Sequence, residues 1–186
     1  MNTEEKILNK LSQWLESEES NNLSEWEFEV STKPQKADDV DAWFDAQISG
    51  EMSDDDYEIL ENEFLGFSST GEGGEYYLWD YPNREGPAPI IFLGSSGEYD
   101  VVAASLNDFV CMLGHGKVFS ADYETLRVTW EDYNDEDQAD YTAECKKFIE
   151  SLDGLIEATT FKQAIKNIEN QKSFIQVVDD FVKKYS

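Results

Sequence analysis

The chain has 186 residues, with 41 Asp/Glu against 14 Lys/Arg, a formal charge of -27, and 40% hydrophobic residues that include five Trp, nine Tyr and eleven Phe. This excludes a disordered acidic tail, which lacks the aromatic surface that offsets chain entropy, and it excludes direct binding to nucleic acid, whose phosphates repel such a charge. No run of about eighteen apolar residues exists, and Met1-Asn2-Thr3-Glu4-Glu5-Lys6 lacks the basic flank of a secretory signal, so one folded domain over residues 1–186, cytoplasmic and away from membranes, is expected.

Ile7, Leu8, Leu11, Trp14 and Leu15 recur at helical spacing behind Thr3, Glu4 and Glu5, which supply a cap and an acidic first turn. After a polar stretch, Trp26, Phe28 and Val30 alternate with Glu25, Glu27 and Glu29, predicting a short strand with one wet face. Val40, Trp43, Phe44 and Ile48 make a second helical stripe that stops at Gly50. Ser53, with Asp56 as its capping-box partner, opens a third helix whose buried face is Tyr57, Leu60 and Phe64; Asp54, Asp55 and Asp56 then sit where the helix dipole favours negative charge.

Residues 66–74 read as a Gly/Ser/Thr loop, and the pattern then turns to β in three strands at 76–79, 89–93 and 99–103, the centre of the protein. Ser105, with Asp108 as box partner, caps a helix that points Leu106, Phe109, Val110 and Leu113 inward and stops at Gly114. Leu126, Val128 and Trp130 alternate as a further strand. Helical faces follow at Tyr141, Cys145, Phe148 and Leu152, at Phe161, Ala164, Ile165 and Ile168, and at Phe174, Val177, Val178, Phe181, Val182 and Tyr185, so residues 136–186 are helical.

Catalytic and metal-binding patterns are missing. His115 is the only histidine, and Cys111 and Cys145 form no C-x-x-C pair. The acidic run 132–137 has Asp137 where a calcium loop needs Gly and Ala143 where it needs Glu. Gly71, Gly73 and Gly74 precede a strand rather than a helix, unlike a dinucleotide or phosphate loop. No catalytic residue, metal or cofactor is expected, and the chain reads as a non-enzyme. A hydrolase built on clustered carboxylates would need metal dependence and at least one strongly raised carboxyl pKa in a cleft.

The segments Gly73-Gly74-Glu75-Tyr76-Tyr77-Leu78-Trp79, Pro87-Ala88-Pro89-Ile90-Ile91-Phe92-Leu93-Gly94-Ser95-Ser96-Gly97-Glu98 and Val102-Ala103-Ala104-Ser105-Leu106-Asn107-Asp108-Phe109 together resemble the core signature of the SUKH superfamily. The likeness is best over 73–113 and weaker over 141–185, while residues 1–66 diverge from it. Pro87 and Pro89 suit a strand entry or edge, Gly94 and Gly97 a turn with positive φ between two buried strands, and Trp79 and Phe109 core anchors; Ser95 belongs to the Gly-Ser that ends the second strand of the signature. The resemblance implies an α+β domain, with a curved, largely antiparallel sheet flanked by helices and a helical C-terminal segment. It also implies an immunity protein that neutralises a cognate bacterial toxin of a polymorphic or contact-dependent system, often a nuclease. Fungal relatives act in control of cell-wall synthesis, which leaves a non-toxin interaction or scaffold protein as the alternative.

The charge distribution agrees with a basic partner. Residues 141–186 carry seven Lys against seven Asp/Glu, so the whole surplus lies in residues 1–140. A net charge of about 2–8 suffices for solubility of a small domain, and a larger surplus costs stability by self-repulsion, although a salt-rich habitat would also call for one. Charge density nominates Asp54, Asp55, Asp56, Glu131, Asp132, Asp135, Glu136 and Asp137 as contacts for a basic toxin, with Tyr133 as the aromatic anchor among them.

Overall fold

The structure, a computed structural model, describes residues 3–17, 29–36, 40–122, 124–132 and 138–186. Its elements in chain order are α1 (Thr3–Leu15), β1 (Glu29–Lys36), α2 (Val40–Gln47), α3 (Asp54–Glu63), β2 (Phe64–Ser69), β3 (Glu75–Trp79), β4 (Ile90–Leu93), β5 (Tyr99–Ala103), α4 (Leu106–Gly114), β6 (Lys117–Asp122), β7 (Arg127–Asp132), α5 (Gln138–Ser151), α6 (Phe161–Glu169) and α7 (Phe174–Tyr185). Strands β1 to β5 form one antiparallel sheet in sequence order, and β6 and β7 pair as a separate hairpin. This is the expected α+β class with an antiparallel sheet. No helix among the described residues is long and apolar enough to cross a membrane.

The sheet is a middle layer because its strands alternate between two apolar faces. Tyr76 and Leu78 of β3 look to one side, where Phe67, Ile90 and Val102 join Ile7, Leu8 and Leu11 of α1, Phe109 and Val110 of α4, Phe148 of α5, Ala164 of α6 and Val128 of β7. Tyr77 and Trp79 look to the other, with Phe64, Ile91, Leu93 and Val101 under Val40 and Phe44 of α2, Leu60 of α3, and Phe174 and Val178 of α7. A period of two on a strand buried on both faces produces this division. Each large side chain fully buried in this way is worth about 1.5–3 kcal/mol.

The helical stripes fold as the sequence implies, and the differences lie where partners decide. Trp26 and Phe28 of the predicted first strand lie outside the described residues, while Glu29 and Val30 open β1. The segment expected as a loop over 66–74 is instead strand β2 in its first part, paired with β1 on one side and β3 on the other. Its Gly and Ser content hid it; Gly66 stands opposite Tyr77 in the ladder, with the Tyr77 ring packed over it. Phe64 accordingly leaves the helix: it caps α3 with extended backbone and enters β2, still buried.

One further expectation holds, one is corrected and one strand is new. α4 ends at Gly114 as expected, His115 is its C-cap, and Gly116 takes the left-handed turn at φ 68. Leu126 is not in the strand but in the turn before it, at φ 55, with its carbonyl accepting from the Tyr99 N–H at 3.1 Å. Strand β6, which the sequence did not announce, pairs with β7 throughout from Lys117–Asp132 to Asp122–Arg127.

Candidate partner-binding surface

Ser53 caps α3 as expected: its Oγ accepts from the Asp56 N–H at 3.3 Å, and its hydroxyl donates to Asp56 Oδ2 at 2.8 Å. The three nominated aspartates part company here. Asp54 and Asp55 are exposed, whereas Asp56 is taken up by the C-terminal helix. Lys184 pairs with the Asp56 carboxylate, the Tyr185 hydroxyl donates to it, and the Ser53 N–H donates to the Tyr185 oxygen at 3.2 Å. The hydrogen bond from Lys184 holds the Asp56 carboxyl below the ordinary carboxylate range, against the opposing effect of burial. Asp56 is therefore a fastening between α3 and α7 rather than an outward contact.

Apart from Lys184, the charge around it comes from two helices whose own charged residues are all acidic. Residues 40–63 carry nine Asp/Glu and no Lys or Arg, and the next basic residue along the chain is Arg84. Helices α2 and α3 bring these acids together: the Tyr57 hydroxyl donates to Asp45 Oδ2 at 2.8 Å. That bond, followed by the negative charges of Asp45, Asp41 and Glu51, raises the Tyr57 phenol above its ordinary pKa. On the outer side of α3, Asp55, Glu58, Ile59 and Asn62 follow one another at helical spacing and are all exposed. Ile59, 49% exposed, is the large hydrophobic residue that the described surface leaves most open.

Glu131 and Asp132 end strand β7 and are exposed, with Asp132 paired to Lys117 across the hairpin. Tyr133, Asp135, Glu136 and Asp137 lie outside the described residues. Strand β7 packs against the α1 side of the sheet through Val128, and α3 packs against the α7 side through Leu60. Asp54–Asp56 and the described pair Glu131 and Asp132 thus ride on elements covering opposite faces of the sheet, and the structure does not bring them together.

The motif residues take structural places. Trp79 and Phe109 are fully buried, with Leu106 beside the latter in the core on the α1 side. The Pro89 carbonyl accepts from the Trp79 N–H at 2.9 Å at the head of β4. Gly73 and Gly97 adopt φ 84 and 98, Gly74 lies under the Phe92 ring, and the Ser95 hydroxyl donates to the Glu72 carbonyl at 2.8 Å. Gly94 does not take the positive φ expected of it; the buried Glu98 carboxylate lies where a side chain at 94 would begin and accepts from the Ser96 N–H at 3.1 Å. Ser105 accepts from the Asp108 N–H at 3.0 Å, and the buried Asp108 carboxylate accepts from Asn167 Nδ2 at 2.9 Å, tying α4 to α6.

Elsewhere, burial raises the Glu63 and Asp100 carboxyls above the ordinary carboxylate range. Burial pushes the Cys111 thiol up, and His115 is exposed with its Nε2 2.9 Å from the Thr159 carbonyl. Among the described residues no group of three or more His, Cys, Asp or Glu is arranged to hold a metal ion. Sequence reasoning missed Ile59 and the Tyr57–Asp45 contact; an apolar residue off the Tyr57–Leu60–Phe64 stripe was the available signal for the first. In comparisons with known proteins, no protein family, no curated protein and no solved structure matches this chain.

Proposed function

We propose that this chain is an immunity protein of the SUKH type that neutralises a basic bacterial toxin, most simply a nuclease domain, by covering its cationic surface. The observation that carries the reading is the α2–α3 layer, whose own charged residues are all acidic and which leaves Ile59 exposed among them. A nuclease domain needs positive charge to hold phosphates, and an acidic inhibitor uses the same charge to reach it quickly. Unpaired surface charge alone gives speed and little residence time, whereas an apolar anchor inside a charged rim lengthens residence.

Within this reading Asp54, Asp55, Glu58 and Glu61 steer, and Ile59 docks. Glu131 and Asp132 lie over the other side of the sheet and supply a secondary contact at most. Inhibition is steric and electrostatic, so it requires no catalytic residue, metal or cofactor of this chain.

The test is capture of partners from native cells on the tagged protein with elution in salt steps, followed by assay of the purified partner. A basic protein released only at high salt, whose nuclease activity is titrated away at one equivalent, is the expected result. Capture of wall-synthesis proteins without a toxin would overturn the reading in favour of a scaffold.

A further inference from the structure

Four basic side chains among the described residues lie over aromatic rings, and each has a carboxylate beside it. Lys172 Nζ stands 5.1 Å from the Trp79 ring centre and 5.0 Å from that of Tyr81, and burial raises the Glu63 carboxyl against the opposing effects of the Trp79 indole and the Lys172 charge. The Arg127 guanidinium lies 5.2 Å over Tyr99 and 3.9 Å from Asp100. Lys184 sits 5.1 Å over Tyr185 and pairs with Asp56, and Lys117 sits 4.5 Å over Phe161 and pairs with Asp132. A ring face and a carboxylate attract a cation together, the ring through its quadrupole and the carboxylate through its charge.

A further cleft with aromatic and acidic walls stands beside the Arg127–Tyr99 pair and has, among the described residues, no basic residue in its own lining. It lies between α2 and the β4–β5 turn, has a volume of about 520 Å³, and is lined by Trp43 and Gln47 of α2, Glu75 and Tyr77 of β3, and the turn residues Gly94 to Gly97. Its aromatic and acidic walls are held in place beforehand. The Trp43 indole N–H donates to the Gly94 carbonyl at 3.1 Å, the Trp43 ring meets Tyr99 edge-on at 5.4 Å, and the Tyr77 hydroxyl donates to the Glu75 carboxylate. A carboxylate offers about four acceptor directions, so a donor fork can use those that Tyr77 does not.

We propose that this cleft receives an arginine side chain of the basic partner. The assignment rests on the partner's basic character put forward above and deepens it, since α2 belongs both to the acidic layer and to the cleft. Arginine fits better than lysine: its planar group stacks on a ring while its N–H fork engages a carboxylate, and it sheds water more readily than an ammonium. Fixed walls add affinity because little side-chain entropy remains to be lost.

The experiment uses the full chain, isotope-labelled for NMR, titrated with N-acetyl-arginine methylamide and with the neutral citrulline analogue. Saturable shifts at the Trp43 indole and the amides of residues 94–97 are expected, weakened about fivefold or more for citrulline and for Glu75→Gln. Ala46→Trp, on the exposed rim of the cleft, should abolish them by filling the space; unchanged amide dispersion elsewhere reports that both variants fold. Equal shifts from citrulline, shifts insensitive to both variants, or no saturation would overturn the assignment. An inert cleft in a protein that still captures and inhibits a basic toxin removes this inference and leaves the function standing; arginine binding without a toxin partner does the reverse.

Discussion

Gly114 of α4 lies directly against the side chain of Ile149 on α5, so closely that a methyl group at 114 would overlap it. The glycine, the last residue of α4, is at the same time a point of contact between two helices. Ile149 is branched at Cβ and cannot rotate away at little cost. Gly114→Ala should therefore destabilise the fold by about 1–3 kcal/mol despite alanine's better helix propensity. Urea unfolding with an unchanged slope measures this, and Ile149→Ala in the same chain should recover part of the loss.

The Lys184–Asp56 pair predicts a pH signature. The folded carboxyl is depressed below its unfolded value near 3.8, so its contribution is fully present above about pH 4 and is lost as pH falls through the folded value. Lys184 is more than half exposed, and the pair is worth about 0.2–1 kcal/mol. Lys184→Met should lower stability by that amount at pH 7, and the gap to the parent should close on acidification. A constant gap down to pH 2 would show that the lysine acts through packing instead.

Charge reversal discriminates between the two acidic stretches. Asp55→Lys with Glu58→Lys should slow association with a basic partner about tenfold at low salt, with convergence at high salt and unaltered thermal unfolding. Glu131→Lys with Asp132→Lys should have a much smaller effect, because that strand covers the other side of the sheet. Ile59→Ala should instead raise the dissociation rate, by about 1 kcal/mol or more if it is the anchor. Surface plasmon resonance across a salt series separates the rates.

Thiol chemistry offers a simple check on the core. Both cysteines are buried, and burial raises the Cys111 thiol, which keeps it protonated and poorly nucleophilic at neutral pH. Ellman's reagent should react with the native protein far more slowly than with the protein in urea, and at a rate set by opening of the fold. Rapid native labelling of Cys111 would contradict its placement between α4 and the Glu157 carbonyl.

Local periodicity and capping chemistry were readable without the fold. The stripe Ile7–Leu8–Leu11 forms α1, Ser53 and Ser105 cap their helices through Asp56 and Asp108, and strands β3, β4 and β5 fall where apolar runs meet turn residues. These features depend on neighbours within about four residues, and a sequence displays such neighbours directly. The net charge, and its concentration before residue 141, likewise belong to the sequence.

What the sequence could not show is whatever depends on a distant partner. Phe64–Ser69 is a strand because β1 and β3 flank it, Gly114 is glycine because Ile149 arrives from α5, and Asp56 is withdrawn from the surface because Lys184 and Tyr185 return from the far end of the chain. Trp43, Glu75 and Gly94 become the walls of one cleft only when α2 settles on the sheet. Side chains at these separations meet through packing, and packing is a property of the folded chain, with no local signature to read.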